Sequence, residues 1–206
     1  MKTKIFLFLF LVSSYCFAQS ANDVLKRIQN KFNSINNFTA NFTQSYYSSS
    51  GQNTGRSSGK FFYKRKNKFI VELKNQLIVS DGQTIWNSDK RFNRVVISSI
   101  ADDPTSFSLE RFVFDYPPLC KNKIIKDETV APGENLIELT PKDQDMEFKT
   151  VKIWTSEDGL ISKLEVVDRG GMRYSFQFTD IKINQYLPDT KFAYSPSKGI
   201  QIIDLR

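Results

Sequence analysis

The feature that most constrains this 206-residue chain is a period of two in its hydrophobicity pattern. In segment 172–179, apolar Met172, Tyr174, Phe176 and Phe178 alternate with four polar residues. Successive side chains of a β-strand point to opposite faces, so this pattern predicts a strand with one apolar face. Such segments recur at a spacing of roughly 8–12 residues, separated by turn signals, which is typical of sandwiches and barrels.

These patterns predict one large, strongly curved antiparallel sheet with few helices. The predicted strands are 37–47, 60–65, 69–74, 76–80, 83–88, 94–98, 136–142, 148–156, 160–168 and 172–183. The polar Gly- and Ser-rich stretch 48–59 is expected to be a loop because it lacks any apolar alternation.

Two segments are expected to be helical. In segment 20–35 the period changes to 3.6, which predicts an amphipathic helix that Ser20 or Asn22 can cap. Its apolar face is Val24, Leu25, Ile28, Phe32 and Ile35. The second helix, 104–114, is short and strongly apolar, with Asp103 as its N-cap, Pro104 as its first residue and the pair Pro117-Pro118 as its end.

Residues 1–18 have the layout of a secretory signal peptide, with two lysines, an apolar run over 5–12 and small residues before the expected cleavage after Ala18. The apolar run is too short to span a bilayer. A bulky tyrosine precedes Cys16, which does not suit cleavage for lipidation. We therefore expect a soluble mature protein, 19–206, that forms a single domain.

Composition excludes several classes of chemistry. The chain contains no histidine, so it lacks Ser-His-Asp and Cys-His arrangements and the commonest transition-metal ligand. Cys120 is the only cysteine beyond the signal peptide, so no internal disulfide is expected. The net charge of +7 comes from lysines and arginines that alternate with acids, and does not indicate nucleic-acid binding. No metal, cofactor or enzymatic activity is expected, although a Ser/Lys dyad has no local signature and stays open.

The carboxylates have structural interpretations. Asp81-Gly82 separates two predicted strands, and both residue types tolerate positive φ, so we expect a tight turn and assign Asp81 no chemistry. Segment 143–147 resembles the start of a calcium loop, but it lacks the glycine at the sixth position and the distal glutamate, so we interpret it as an acidic hairpin tip.

The aromatic content needs an explanation, because the chain has 18 phenylalanines, 8 tyrosines and 2 tryptophans. A single curved sheet needs something against its concave face, and only two helices are available. Either the helices fill the concavity as an ordinary core, or they roof an apolar cavity that holds a ligand. The physics of the sequence leaves both alternatives open.

Several motifs, taken together, point to one family. They are the helix Ile28, Phe32 and Ile35, then 37–44 (NFTANFTQ), 59–65 (GKFFYKR), 78–86 (IVSDGQTIW), and the tail with Lys191-Phe192, Ser195-Pro196 and Gly199-Ile200. These segments resemble LolA, the periplasmic carrier of outer-membrane lipoproteins, over nearly all of the mature chain.

The resemblance implies an incomplete, half-open antiparallel β-barrel of about eleven strands with an α-helical lid, LolA/LolB-like, over an apolar cavity. It implies a periplasmic chaperone in a Gram-negative bacterium, acting as a monomer. The chaperone takes triacylated lipoproteins from an inner-membrane ABC transporter and hands them to an outer-membrane acceptor, LolB-like or unknown.

The resemblance also suggests site residues. Arg65 matches a family arginine that bonds lid backbone, although Lys66 follows here where the family usually has proline. With Arg65, the expected lid residues are Phe107, Leu109 and Phe112. The expected acyl-chain cavity is lined by Phe38, Phe42, Trp86, Trp154, Phe176 and Phe178, whose inward orientation is inferred from alternation.

Two alternatives remain. The first keeps the fold and changes the cargo, so that the protein is a LolA-like carrier or sensor of another lipid or hydrophobic product. The second is a hydrolase that acts on envelope polymers through carboxylates or a Ser/Lys pair, and it predicts a polar cleft.

Overall fold

The computed structural model describes residues 20–100, 108–128 and 130–206. The predicted signal peptide and Phe107 lie outside these residues, as does the expected helix start at Asp103 and Pro104. Within the described ranges, no helix combines the length and the apolar character that crossing a membrane requires.

The described residues form one sheet of twelve strands. In chain order they are β1 (Asn37–Tyr47), β2 (Asn53–Lys64), β3 (Lys68–Leu73), β4 (Gln76–Asp81), β5 (Thr84–Asp89), β6 (Arg94–Ser99), β7 (Cys120–Ile124), β8 (Glu134–Pro141), β9 (Phe148–Ser156), β10 (Ile161–Asp168), β11 (Arg173–Ile183) and β12 (Gln201–Asp204). The helical elements are α1 (Ala21–Ser34), a π-helical turn (Arg111–Asp115), α2 (Tyr116–Leu119) and a 3₁₀ turn (Asp189–Phe192).

The strand order is β12-β6-β5-β4-β3-β2-β1-β11-β10-β9-β8-β7, so β12 and β7 are the two edges and the sheet does not close. Every neighbouring pair is antiparallel except β12 with β6, which is parallel. This confirms the expected mainly-β, incomplete antiparallel barrel, with eleven antiparallel strands and one parallel addition.

The sheet curves around its helices. Twelve strands at about 4.8 Å would form a flat ribbon of roughly 50 Å, far wider than two packed helices. Yet one continuous apolar cluster joins α1 and the helical residues 109–119 to β1–β3 and to β8–β11. We call the side of the sheet that contacts these helices the helix face, and the opposite side the outer face.

The predicted first helix is confirmed. Ser20 caps α1, because its hydroxyl accepts from the Asp23 backbone while the Asp23 carboxylate accepts from the Ser20 backbone. Val24, Leu25 and Ile28 are buried against the sheet, as the 3.6-residue period predicts.

The second helical segment, residues 109–119, differs from the prediction at its end. Pro117 and Pro118 do not stop it, because they lie in the first turn of α2, where the helix does not need their backbone N–H. A π-helical turn precedes them, in which the Tyr116 N–H donates to the Arg111 carbonyl. The segment ends at Leu119, and β7 begins at Cys120.

The prediction of a loop over 48–59 is wrong beyond residue 52, because β2 begins at Asn53. The polar first half of β2 forms backbone hydrogen bonds with the second half of β1, with Ser45 opposite Arg56 and Tyr46 opposite Gly55. This pairing makes it a strand despite its polar composition. Strands β7 and β12 were also not predicted. Both are short edge strands with few apolar residues, so they show no apolar alternation.

Candidate functional site

The centre of the helix face is a group of five phenylalanines from the three middle strands. They are Phe38 and Phe42 of β1, Phe61 of β2, and Phe176 and Phe178 of β11. Alternation places them on one face, and pairing of β1 with β2 and β11 brings them together. The ring centroids of Phe61 and Phe178 are 5.2 Å apart, and those of Phe42 and Phe178 are 5.6 Å apart.

The helices cover this group and contact each other. From α1, Val24, Leu25 and Ile28 are buried in the same cluster, and from segment 109–119, Leu109, Phe112 and Val113. The structure therefore brings together six of the predicted site residues: Phe38, Phe42, Phe176, Phe178, Leu109 and Phe112. The Gln29 amide donates to the Val113 carbonyl at 3.0 Å, an oxygen that Pro117 cannot bond because it lacks an N–H.

The described residues leave little space beneath the second half of α1. The cavity beneath the second half of α1 has a volume of about 20 Å³. Its lining is Lys31, Phe32, Ile35, Phe38, Leu109, Gly159, Leu160, Ile161, Phe178 and Ile181. This volume is about enough for one water molecule. In the part of the chain that the structure describes, α1 and segment 109–119 pack directly against the concave face, which favours the first of the two alternatives left open by the sequence.

Arg65 holds the end of α1. It lies in the β2–β3 turn (Arg65, Lys66, Asn67), and its Nε donates to the Ile35 carbonyl at 2.9 Å, while its backbone N–H donates to the Asn36 carbonyl at 3.0 Å. Lys66 has φ +67°, and Asn67 has φ +55°. Proline is restricted to φ near −65°, so a proline in place of Lys66 would not fit this turn.

The same turn holds segment 109–119 through a polar group that we call the Glu110 cluster (Tyr63, Asn67, Ser108, Glu110). One Glu110 carboxylate oxygen accepts from the Tyr63 hydroxyl at 2.6 Å and from the Asn67 backbone N–H at 3.0 Å. The Ser108 hydroxyl donates to the Asn67 side chain at 2.8 Å. Burial and the hydrogen bond to Glu110 raise the pKa of Tyr63, so its hydroxyl remains a donor.

A third contact joins α1 to the β9–β10 turn. The Lys31 ammonium and the Ser156 hydroxyl both bond the Asp158 carboxylate at 2.5 Å, and together they lower its pKa to about 2. Gly159 has φ +89°, and a Cβ there would lie 2.6 Å from the Arg27 carbonyl oxygen. Glycine therefore allows this turn to touch the backbone of α1.

The structure separates Trp86 and Trp154 from the other predicted cavity residues. Ile85 is on the helix face, so Trp86 is on the outer face, where it stacks with Tyr194 at 6.0 Å. Ile153 is also on the helix face, so the next residue, Trp154, is on the outer face. The Lys163 ammonium lies 4.0 Å from the centre of the Trp154 ring. Alternation shows which residues share a face but not which face is inside, so we leave both tryptophans out of the candidate site.

A larger cavity, of about 500 Å³, lies on the outer face between the sheet and the chain before β12. Its floor includes Ile70, Leu77 and Val79, and its wall includes Lys90 and Lys191. Charged and apolar groups are mixed there, in contrast to the apolar interior of the helix face.

Sequence comparison identifies the family. The profile of the family described as "Outer membrane lipoprotein carrier protein LolA" matches residues 33–195, which is most of the chain. The chain belongs to the LolA family. The match includes β1 to β11, segment 109–119 and the Glu110 cluster, but only the last residues of α1.

Individual LolA relatives and one solved structure match nearly the whole length of this chain. An outer-membrane lipoprotein carrier protein of Legionella pneumophila (strain Paris) is 29% identical over 204 residues, 97% of this chain and 98% of the relative. One from Serratia proteamaculans (strain 568) is 26% identical over 203 residues, 95% of each chain. An uncharacterized conserved protein of Thermus thermophilus has the same fold, with TM-score 0.55, 15% identity, and coverage of 90% of this chain and 99% of that one.

Sequence reasoning did not find Phe61 or the members of the Glu110 cluster as site residues. Phe61 had a usable signal, because it alternates with Tyr63 in a predicted strand. Glu110 and Asn67 had none, since a single glutamate and a single asparagine 43 residues apart become partners only through the fold.

Proposed function

We propose that this protein carries the acyl chains of lipoproteins in the interior of the helix face, across the periplasm from the inner to the outer membrane. The observation that carries the proposal is the combination of an aromatic interior with an apolar cover that few directional polar bonds fasten to the sheet. The carrier names of the LolA relatives support the choice of cargo.

The energies favour a cover that cargo displaces. Burying one aliphatic or aromatic side chain is worth about 1.5–3 kcal/mol, so the six buried cover residues contribute roughly 9–18 kcal/mol. They are Val24, Leu25, Ile28, Leu109, Phe112 and Val113. An acyl chain gains about 0.8 kcal/mol per methylene, or on the order of ten kcal/mol in total. Three chains therefore offset the cost of displacing the cover.

Displacement breaks few directional bonds. In the described residues, polar contacts between the cover and the sheet include Arg65 to Ile35, the Glu110 cluster and Lys31 to Asp158. Asn122 and Lys142 also donate to carbonyls at the end of segment 109–119. Arg65 serves as a gate residue for α1, since its guanidinium has several donors in a fixed arrangement. Leu109 and Phe112 are the parts of the lid that touch cargo.

The proposed route begins at an inner-membrane ABC transporter and ends at an outer-membrane acceptor, with the protein acting as a periplasmic monomer. Handover between membranes needs no bond chemistry, so we propose a chaperone rather than an enzyme. The interior of the helix face is apolar, whereas a hydrolase of envelope polymers would need a polar cleft.

A displacement assay tests this function. An environment-sensitive fatty-acid probe should bind the purified protein, and a synthetic triacylated lipopeptide should displace it. The same peptide without acyl chains should not. Failure of the probe to bind, or equal displacement by the unacylated peptide, would contradict the proposal.

Matched variants locate the site. Phe178→Ala should weaken lipopeptide binding several-fold, because Phe178 lies among the central aromatic rings. Trp154→Ala removes an aromatic residue from the outer face and should leave binding unchanged. Mass spectrometry of material copurified from the periplasm then names the cargo. Recovery of free lipid or pigment alone would favour the other carrier function.

A further inference from the structure

The turn between β5 and β6 carries an exposed aromatic ring surrounded by cations. Phe92 is 59% exposed, and every residue from Lys90 to Arg94 is exposed. The guanidinium carbons of Arg91 and Arg94 lie 5.4 and 4.9 Å from the centre of the Phe92 ring. The two arginines thus support the ring from its own turn rather than burying it in the protein.

Two further segments add positive charge beside this turn. The Lys90 N–H donates to the Asn75 carbonyl, next to Lys74, and the Asn93 amide donates to the Gly199 carbonyl, next to Lys198. Both lysines are exposed. The Asp89 carboxylate forms an ion pair with Arg91. This pair offsets one of the positive charges beside the turn and leaves most of them. We call Lys74, Lys90, Arg91, Phe92, Arg94 and Lys198 the basic tip.

We propose that the basic tip binds the surface of membranes containing anionic phospholipids, with the Phe92 ring inserted at the level of the headgroups. Aromatic rings prefer that depth, and lysine and arginine next to them are attracted to anionic headgroups. This inference does not rest on the proposed function, because the tip lies at the far ends of β5 and β6, away from the Glu110 cluster.

The geometry favours a membrane over a protein partner. A stable protein interface buries about 800 Å² per partner and has an apolar centre depleted of charge. Here the protruding Phe92 ring is surrounded by cations, and the exposed Ile202 of β12 lies opposite Val95, beyond Arg94, so one ring is the apolar surface of the turn itself. A lipid headgroup layer accepts one ring and supplies phosphates to the surrounding charges.

Vesicle flotation tests the proposal. The protein should bind phosphatidylcholine vesicles containing about 30% phosphatidylglycerol and not vesicles of phosphatidylcholine alone, and salt well above physiological strength should release it. Equal binding to both compositions, or none to either, would overturn the proposal, and an acidic protein would then be the better partner.

Two matched pairs of variants make the test specific. Phe92→Ala should reduce binding several-fold, while Tyr186→Ala, which removes a 93% exposed ring at the opposite end of the sheet, should not. Lys90→Gln with Arg94→Gln should reduce binding at least as much, while Lys121→Gln with Lys123→Gln on edge strand β7, a change of equal charge, should not. Equal effects within either pair would overturn the assignment.

A label at position 92 reports insertion directly. In a Cys120→Ser background, Phe92→Cys coupled to an environment-sensitive dye should brighten and shift to the blue on anionic vesicles. The same dye on Tyr186→Cys should not change. Binding without a change at position 92 would show that charge alone acts and that Phe92 does not insert.

Discussion

Two residues of the β2–β3 turn, Arg65 and Asn67, are bonded to two different helical segments. Arg65 donates to the end of α1, and two residues later Asn67 is bonded to Glu110 of segment 109–119. The carbonyl of Asn67 in turn accepts from Ser80, whose side chain is fully buried in the sheet. The cover is therefore fastened to a turn that is itself fixed to β4.

Substitutions at Arg65 and Glu110 should loosen different helices. Arg65→Leu leaves the Ile35 carbonyl without its side-chain donor, so amide hydrogen exchange should quicken in the last turn of α1. Glu110→Ala leaves the Tyr63 hydroxyl and the Asn67 N–H unpaired, so exchange should quicken in segment 109–119 and stability should fall by about 1–3 kcal/mol. Each variant is the control for the other, and identical exchange patterns would contradict separate control.

Asp158 should make the hold on α1 sensitive to acid. Lys31 and Ser156 lower its folded pKa from 3.8 to about 2, so this contact stabilises the fold fully above pH 4 and is lost as pH falls towards 2. The difference in unfolding free energy between the protein and Asp158→Asn should shrink over that range. A difference that stays constant over this range would contradict the assignment.

At the scale of elements, the β9–β10 turn packs directly against the backbone of α1 and sets the distance between the helix and the sheet. Its close approach depends on a glycine that both adopts positive φ and lacks a Cβ. The chain offers a matched position at Gly133, which has φ +84° but no neighbouring atom within 4 Å of an added Cβ.

Comparing the two glycines separates backbone strain from displacement of the helix. Gly133→Ala should cost about 1 kcal/mol of unfolding free energy, because only the left-handed backbone is penalised. Gly159→Ala carries the same penalty and also pushes against the Arg27 carbonyl, so it should cost clearly more and quicken exchange in α1. Equal losses in urea unfolding would show that the turn does not position the helix.

Elements with strong apolar alternation could be predicted from the sequence, and those held only by backbone pairing could not. Strand β11 and helix α1 are clear in the pattern, and Asp81 is the expected turn residue, accepting from the Gln83 and Thr84 backbones. The first half of β2 was missed because it is polar. The candidate site was found in part, since the central phenylalanines alternate, whereas the Glu110 cluster joins residues far apart in the chain.

At the scale of the whole molecule, loading should redistribute stability. In the closed arrangement the cover and the sheet form one apolar cluster, so they protect each other from exchange. In the proposed carrier function, opening would replace the contacts of the helices with the sheet by contacts with cargo, while the hydrogen-bond ladders of β1, β2 and β11 would persist.

Hydrogen exchange with bound triacylated lipopeptide should show this division. Amides of α1 and of segment 109–119 should exchange faster in the loaded protein, and those of β1, β2 and β11 should be unchanged or slower. The unacylated peptide provides the control. Uniformly slower exchange across both helices would mean that cargo binds without moving the cover.

The unpaired edges at β12 and β7 bear on how much this molecule can hold. In a closed barrel, strand number and stagger set the radius, so the bore has a single size. Because these two edges are not bonded to each other, the curvature of the sheet is able to decrease slightly without breaking hydrogen bonds between neighbouring strands. In the proposed carrier function, capacity would then be adjustable, so that one scaffold would suit fatty tails of differing number and length.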